Sequence, residues 1–338
     1  ACVGKGNPTV RKYERAVAEL EAPQDSSYDA IATASGRSAI LLTALQLIKN
    51  TGKKRIVTTP HLYGGTYALF MEYLATLGLH TVIVEDPMHR GAWEDAITRD
   101  TALVFVETVS NPLASVTDIP VIASIANRKQ VCVVADNTIP TAALFRPLMH
   151  GADVVVYSAS KSMNGDSRGL GGIIVGNKEF IREIRRGWFS VMGPVMDPAC
   201  AARMHSRLAT LETRVTRESA NALSLAELLQ YIPGVYRVHY PLLQRSRYCA
   251  LAKSLGMTKG TGGLLAFELT GGIDRAIRFI ESLEVVIHAT HLGHEKTLAT
   301  LPAATTHAKM PQTLRAQCGI TDTLVRISTG CEETAEFS

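Results

Sequence analysis

A carboxylate and an amine each close an apolar segment of the chain. Asp136 stands in "VCVVADN" (131–137), and Lys161 comes directly after "DVVVYSAS" (153–160). Because an ammonium group is costly to remove from water, Lys161 marks either the point where a strand reaches the surface or an amine held in a dry pocket. As an isolated pair, the two residues are also compatible with an ordinary salt bridge.

Small and hydroxylated residues around this pair favour a pocket. The segment "ASGRSA" opens a predicted helix whose exposed N–H groups and positive dipole end suit an anion. The residues concerned are Ser35, Gly36 and Arg37, together with Ser158 and Ser160 before the lysine. An anion cradle, a strand-end aspartate and a lysine are the groups that pyridoxal 5′-phosphate requires. The carboxylate keeps the pyridine nitrogen protonated, and the amine forms a Schiff base with the aldehyde.

Two further residues are candidates for contacting a ring and a substrate. Tyr63 precedes two glycines in "HLYGGTYALF" (61–70), where its ring can stack on a flat ligand; a turn with an incidental tyrosine is the alternative. Arg326 lies in the short apolar segment "LVRISTG" (324–330), which indicates a buried anionic partner.

Alternating apolar and amphipathic segments predict the framework that positions these groups. The predicted strands span residues 55–60, 81–86, 102–108, 131–137, 153–160 and 171–177. Their consecutive apolar residues suit strands covered on both faces, and helical patterns such as 38–52 and 66–78 lie between them. This alternation predicts an α/β fold with a largely parallel sheet. Because the last strand follows Lys161 after only a turn, we expect that part of the sheet to be antiparallel.

Polar residues cluster at the ends of these strands. Ligands of open α/β sheets bind at the carboxyl ends of the strands, so we expect the groups there to line one pocket. They are Ser35 to Arg37, His61 to Gly65, Glu107 to Asn111, Asp136 with Asn137, and Ser158 to Lys161.

The pattern changes after residue 177. A long helical section (199–231), "GLLAFELTGG" (263–272), a helix near 274–283 and "LVRISTG" predict a smaller α+β domain. The predicted organisation is an N-terminal arm (1–28), a coenzyme-binding α/β domain (29–220) and a C-terminal α+β domain (221–338), with the boundary placed within 200–235.

Composition excludes several classes of function. The chain has 338 residues, of which 46% are hydrophobic and 20% charged, and a net charge of +4 without a basic cluster typical of nucleic-acid binding. No apolar stretch approaches the roughly 18 residues that span a bilayer. The six cysteines are scattered without CxxC spacing, which argues against a zinc site or a disulfide framework. We therefore expect a cytoplasmic protein without a bound metal, a nucleic-acid partner or a membrane partner.

Six segments resemble the Cys/Met-metabolism family of pyridoxal-phosphate enzymes, which includes cystathionine synthases and lyases, methionine γ-lyase and O-acetylhomoserine sulfhydrylase. They are "SGRSAI", "LYGGTYALF", "ETVSNP", "VVADNT", "ADVVVYSASK" and "LVRISTGCEE". The similarity is collinear from Asn7 to Glu333. It implies fold type I of these enzymes (aspartate-aminotransferase-like), a homotetramer built from dimers, and active sites at the dimer interface.

The resemblance also implies a role for individual residues. Lys161 would be the Schiff-base lysine and later the proton carrier, and Asp136 would pair with the pyridinium nitrogen. Tyr63 would stack on the ring and act as acid or base at the γ leaving group. Coenzyme contacts would come from Ser35, Gly36, Arg37, Tyr63, Asn111, Asp136, Ser158, Ser160 and Lys161. Substrate contacts would come from Asn111, His291 and Arg326, with Arg326 clamping the carboxylate.

The sequence departs from the family pattern at three places. Cys2 and Gly4 occupy the positions of a Tyr-x-Arg pair that reaches the neighbouring subunit's phosphate, so donors are lost unless Lys5 or upstream residues replace them. His291 stands where serine or asparagine is typical. The chain begins without methionine and ends soon after "GCEE", so we expect a trimmed version of a longer protein.

The resulting prediction is γ-elimination or γ-replacement, dependent on pyridoxal phosphate, on an amino acid of the homoserine-ester, methionine or cystathionine type. Both reactions use the same groups, so the sequence does not separate them. The alternatives are a specialised-pathway lyase or synthase for a halogenated or unsaturated amino acid, and a non-catalytic relative that retains the fold. A nicotinamide-dependent dehydrogenase would need a GxGxxG turn, which "TASGRSA" does not supply.

Overall fold

The computed structural model describes residues 6–308 and 310–333, and the strands in this part of the chain form two sheets. Cys2, Gly4 and Lys5, at which a departure from the family pattern was noted, lie outside the described residues. The larger sheet contains β1 (Tyr28–Thr33), β2 (Arg55–Thr58), β3 (His80–Ile83), β4 (Thr101–Glu107), β5 (Cys132–Asp136), β6 (Val154–Tyr157) and β7 (Gly172–Asn177). The smaller sheet contains β8 (Val235–His239), β9 (Leu264–Leu269), β10 (Ile287–His288), β11 (Leu298–Thr300) and β12 (Leu324–Ser328).

The α-helices surround and connect these sheets. They are α1 (Pro8–Glu21), α2 (Gly36–Thr51), α3 (Gly64–Ala68), α4 (Arg90–Ala96), α5 (Ile119–Arg128), α6 (Thr141–Leu144), α7 (Lys178–Arg186), α8 (Trp188–Met192), α9 (Pro198–Arg207), α10 (Leu211–Leu229), α11 (Cys249–Ser254), α12 (Ile273–Glu281) and α13 (Gln312–Gln317). None of the helices in the described residues is both long and apolar enough to cross a bilayer.

The larger sheet is mainly parallel, as predicted. Its strand order is β1-β7-β6-β5-β4-β2-β3, and β2 to β6 run parallel to their neighbours within this set. Strand β7 is antiparallel to both β1 and β6. The prediction of an antiparallel return after Lys161 is therefore confirmed. The smaller sheet, in the order β10-β11-β12-β9-β8, is mostly antiparallel.

Both faces of the larger sheet are covered, which explains its consecutive apolar residues. All seven residues of β4 are buried. Val104 and Val106 pack with the side of the sheet that carries α4 and α5, whereas Leu103 and Phe105 pack with the side that carries α2 and α7. Since successive side chains of a strand point to opposite faces, each face requires its own apolar set.

Three elements differ from the sequence prediction. Strand β1 was not predicted, because "YDAIAT" combines alanines and an aspartate that carry little strand propensity; its pairing along β7 stabilises it. The helix predicted at 66–78 is α-helical only in α3 and continues as a π-turn (Leu69–Tyr73) and a 3₁₀ turn (Ala75–Leu77). The helical section predicted at 199–231 consists of α9 and α10. The predicted domain boundary at 220 lies within α10, and the domain limits remain a prediction.

Candidate functional site

The carboxyl ends of the parallel strands meet around one cavity. Its volume is about 280 Å³, and every predicted site residue except Arg326 lines it. These residues are Ser35, Gly36, Arg37, Tyr63, Asn111, Asp136, Ser158, Ser160, Lys161 and His291. The expectation that the strand-end groups share one pocket holds in part. Each of the five predicted groups contributes to this cavity, but His61 and Asn137 are not among the residues that line it.

Lys161 lies in the turn that follows β6 and is partly buried. Its Nζ is 2.9 Å from Nδ1 of His291. Burial, with the positive charge of Arg326 acting in the same direction, lowers the pKa of Lys161 to about 8. Among the described residues, neither Lys161 nor Asp136 takes part in an ion pair. The salt bridge considered from the sequence is thus not formed, and both groups face the cavity.

Asp136 ends β5 and is held by the residue two positions later. Its Oδ1 accepts hydrogen bonds from Thr138 N at 3.0 Å and from Thr138 Oγ1 at 2.5 Å. Thr138 Oγ1 in turn accepts a hydrogen bond from Ser158 N at 2.8 Å. The threonine therefore fixes the carboxylate relative to the turn that carries Lys161. Burial raises the pKa of Asp136.

A second carboxyl group, Glu107, lies beside Asp136. The two residues are direct partners in the pairing of β4 with β5. Glu107 is buried, and its oxygens accept hydrogen bonds from Tyr63 N at 2.6 Å and from Asn111 N at 3.1 Å. Burial and the neighbouring charge of Asp136 raise the pKa of Glu107.

Glu107 was expected only as one of the strand-end groups that line the pocket, without a role of its own, and Thr138 was not predicted at the site. The only sequence signal for them is their position, because both stand beside predicted site residues in "ETVSNP" and "VVADNT". That signal places them near the cavity but does not reveal that Glu107 holds two other site residues through their backbone N–H groups.

The N-terminus of α2 forms a cradle of backbone N–H groups at the cavity. Ser35 caps the helix by accepting a hydrogen bond from Ser38 N at 3.1 Å. Gly36 packs directly on the turn after β6, because a Cβ atom there would lie 2.7 Å from Ser158 Cβ. Ser160 lies deeper, and its hydroxyl donates to Gly171 O at 3.1 Å and accepts from Gly171 N at 2.9 Å. The hydroxyl of Ser160 is therefore used by Gly171, whereas the hydroxyl of Ser158 is not.

Arg326 lies in the middle of β12 and is fully buried behind the cavity wall. Its guanidinium donates to Thr290 O at 2.9 Å, to His291 O at 2.8 Å and to Asn111 Oδ1 at 3.4 Å. All three acceptors are neutral, and Nε has no partner among the described residues. Burial lowers the pKa of Arg326 to about 10. A buried guanidinium with an unused donor suits a carboxylate ligand.

Tyr63 is the exposed member of the set, with 37% of its surface accessible. It precedes α3, and its ring lines both the cavity and a wider depression of about 610 Å³ beside it. The alternative of an incidental turn tyrosine is therefore not supported by its position. His307 also lines this depression and contacts Leu62 O through Nε2. Within the described ranges, no three His, Cys, Asp or Glu side chains are arranged to hold a metal ion.

Comparison with known proteins gives consistent results. The family model for Cys/Met metabolism PLP-dependent enzymes matches residues 4–338. The chain is 38% identical to the O-succinylhomoserine sulfhydrylase of Pseudomonas aeruginosa, over 97% of this chain and 79% of that protein. It is 35% identical to the cystathionine γ-lyase of Bacillus subtilis, over 98% of this chain and 84% of that protein.

A solved structure shares the fold. It is that of a protein described as an O-acetylhomoserine (thiol)-lyase from Campylobacter jejuni that contains N′-pyridoxyl-lysine-5′-monophosphate. It superimposes with a TM-score of 0.93 at 26% identity, over 99% of this chain and 86% of that one. The expected fold type, a mainly parallel sheet with a smaller C-terminal α+β unit, is thereby confirmed.

Proposed function

Because the chain belongs to the Cys/Met metabolism PLP-dependent enzyme family, we propose that it catalyses γ-elimination or γ-replacement on a γ-substituted amino acid. The observation that carries the proposal is the cavity that brings together the Lys161 amine, the Asp136 carboxylate and the N-terminus of α2. The sulfhydrylase and lyase relatives favour a homoserine ester or cystathionine as substrate, with a methionine-type substrate as a further member of the same class.

The residues of the cavity fit pyridoxal phosphate. The N–H groups at the start of α2 and the Ser158 hydroxyl would hold the phosphate, at a point where Gly36 leaves no room for a side chain. Asp136 would face the ring nitrogen, and Tyr63 would lie against the ring. Lys161 would hold the coenzyme covalently through Nζ, because burial leaves its amine less basic than usual and hence a better nucleophile near neutral pH.

Lys161 is also the group that we propose to move protons. When bound, pyridoxal phosphate supplies a conjugated ring that accepts the electrons of the Cα–H bond. Within this cavity the Lys161 amine would be the base that takes the proton from Cα. Its lowered pKa leaves a large unprotonated fraction near pH 8. Tyr63, at the opening of the cavity, would serve as acid or base at the γ leaving group.

Substrate orientation would come from the groups around Arg326. Its unused Nε and its weak 3.4 Å bond to Asn111 leave donors for the substrate carboxylate. Since this guanidinium is fully buried, the charged bond that it forms is little screened by solvent. Asn111 and His291 complete the proposed substrate contacts. The His291 imidazole, at a position where serine or asparagine is typical, favours a specialised γ-substituted substrate as the second candidate function.

We further propose that the protein is a homotetramer with active sites at a dimer interface, as the family resemblance implies. The support in this chain is a set of exposed apolar side chains: Leu170, which lines the cavity, and Val191, Met192 and Val195 in and after α8. We also propose a cytoplasmic location, which is supported by the free thiols of the five described cysteines. The domain limits proposed are 29–220 and 221–338, after an arm of 28 residues.

Replacement of Lys161 tests the proposed function. Lys161→Ala removes the amine that holds the coenzyme and moves the proton, so we expect turnover to fall by at least about 10³-fold. The assay follows ammonia, 2-oxobutyrate and new thioether products from homoserine esters, methionine and cystathionine. Lys253→Ala, at an exposed position of α11, is the matched control. An inactive wild-type protein that binds no coenzyme would instead support the non-catalytic alternative.

A further inference from the structure

The contact between Lys161 and His291 joins two distant parts of the chain. His291 lies in the loop between β10 and β11 of the smaller sheet, whereas Lys161 follows β6 of the larger one. The 2.9 Å distance between Nζ and Nδ1 is that of a hydrogen bond. The contact is therefore with the amine itself, and it is distinct from the substrate contact expected for His291 from the family resemblance.

The loop of His291 is fixed on both sides. Towards the smaller sheet, the His291 carbonyl accepts from Arg326 at 2.8 Å, and Gly293 N donates to Ser328 Oγ at 2.9 Å. Towards the lysine turn, Glu295 N donates to Gly165 O at 3.0 Å. Gly293, at φ +67°, is pressed so closely on Ser162 that a Cβ atom would collide with it. The imidazole is thus held against the amine by its backbone.

The charges around the pair determine its protonation. Burial lowers the pKa of His291 to about 4; the positive charges of Lys161, His294 and Arg326 act in the same direction, and an interaction with the backbone of Ser160 opposes them. Asp136 and Glu107 line the same cavity from β5 and β4. At neutral pH the imidazole is neutral and the amine is largely protonated, so Nζ donates and Nδ1 accepts. The ring proton then lies on Nε2, which has no partner among the described residues.

We propose that His291 is a positioning residue for Lys161, whose neutral Nδ1 accepts a hydrogen bond from the amine and fixes its direction in the cavity. This inference rests on the proposed function, in which the same amine carries the coenzyme and moves the Cα proton. Fixing the direction of the amine should raise the rate of the reaction, because small misplacements of a catalytic group slow the reaction strongly.

Two substitutions distinguish the effect of the hydrogen-bond acceptor from the effect of side-chain size. His291→Asn places Oδ1 at the same number of bonds from the backbone as Nδ1, whereas His291→Phe keeps the planar ring without an acceptor. We expect H291F to lower kcat by about 10- to 100-fold, whereas KM should change by less than kcat, because His291 is only one of several proposed substrate contacts. H291N should retain at least about tenfold more activity than H291F. The control is His288→Phe, at an exposed position of β10.

A second readout uses the coenzyme-free protein. Its reconstitution with pyridoxal phosphate is followed across pH by the visible absorbance of the bound coenzyme. An acceptor stabilises the protonated amine, so its loss in H291F should move the pH midpoint of reconstitution downward by about 0.5 to 1 unit. H291N should stay near the wild-type midpoint.

The outcomes separate this inference from the proposed function. Equal losses in H291N and H291F, or a loss of activity without a shift of the midpoint, would overturn the positioning role. Unchanged activity and midpoint in H291F would overturn it as well. Failure of the wild-type protein to bind pyridoxal phosphate would instead remove the proposed function itself.

Discussion

The two sheets contribute to one cavity in different ways. The larger, parallel sheet provides groups from the ends of its strands: Glu107 from β4, Asp136 from β5 and Lys161 after β6. The smaller, mostly antiparallel sheet provides Arg326 from the middle of β12 and His291 from a loop. Parallel strands collect their carboxyl ends at one edge, whereas antiparallel strands do not, so the smaller sheet must use a strand face.

This difference corresponds to a division of tasks. The proposed coenzyme-binding groups lie on the larger sheet and its α2 helix, and the proposed substrate-binding groups lie mainly on the smaller sheet. Substitutions on the larger sheet should therefore change coenzyme binding or its chemistry. Apart from His291, which we propose to position Lys161, substitutions on the smaller sheet should leave the coenzyme in place and change how the substrate is held.

The largest effect is expected on the larger sheet, at Asp136. Asp136→Asn keeps the shape of the side chain but removes the charge that keeps the ring nitrogen protonated, so kcat should fall by about 10³-fold. KM should change much less. Steady-state kinetics of the variant measures both constants, with exposed Asp95→Asn as the control. A variant that keeps its kcat and loses only substrate affinity would break the division between the sheets.

The next effect is expected on the smaller sheet, at Arg326. Arg326→Lys keeps a positive charge but lacks the planar pair of donors, so KM should rise by about 10- to 150-fold. The visible absorbance of the coenzyme should be unchanged, because Arg326 is not among the proposed coenzyme contacts. Arg315→Lys, which changes an arginine paired with Asp322, is the control. Loss of coenzyme in R326K would contradict the assignment of tasks.

The smallest effect is expected at the phosphate cradle. In Gly36→Ala the added methyl group meets the backbone and Cβ of Ser158, so the helix start must move away from the turn. Coenzyme affinity should fall by about tenfold while KM at saturating coenzyme stays the same. Titration with pyridoxal phosphate measures the affinity. Gly176→Ala is the matched control, because the nearest atom to its Cβ lies at an ordinary 3.4 Å.

The part of the site that the sequence predicts is the part built on strand ends. Asp136 and Lys161 could be placed in one pocket because each follows a recognisable apolar segment, and parallel order then brings the segments together. The same reasoning predicts the α/β fold and the antiparallel return of β7. The reasoning fails for β1, because its residues have little strand propensity and its pairing with β7 stabilises it.

The remaining contacts depend on how loops pack, which no local pattern encodes. The bond between Lys161 and His291 joins residues 130 positions apart, and its partner comes from a loop rather than a periodic element. The hydrogen bonds of Glu107 go to backbone N–H groups, so the identities of Tyr63 and Asn111 carry no sign of them. These contacts arise only when the folded chain brings the segments together.

The loop around Gly293 is bonded both to the strand that carries Arg326 and to the turn that carries Lys161. It therefore fixes the distance between the amine of Lys161 and the guanidinium of Arg326. A ligand that uses both must match that span with its own carbon skeleton. An α-amino acid presents its carboxylate one bond from the carbon that loses a proton, and a β-amino acid presents it farther away. If Lys161 and Arg326 act as proposed, substrates would be selected first by the position of their carboxylate and only then by their γ substituent.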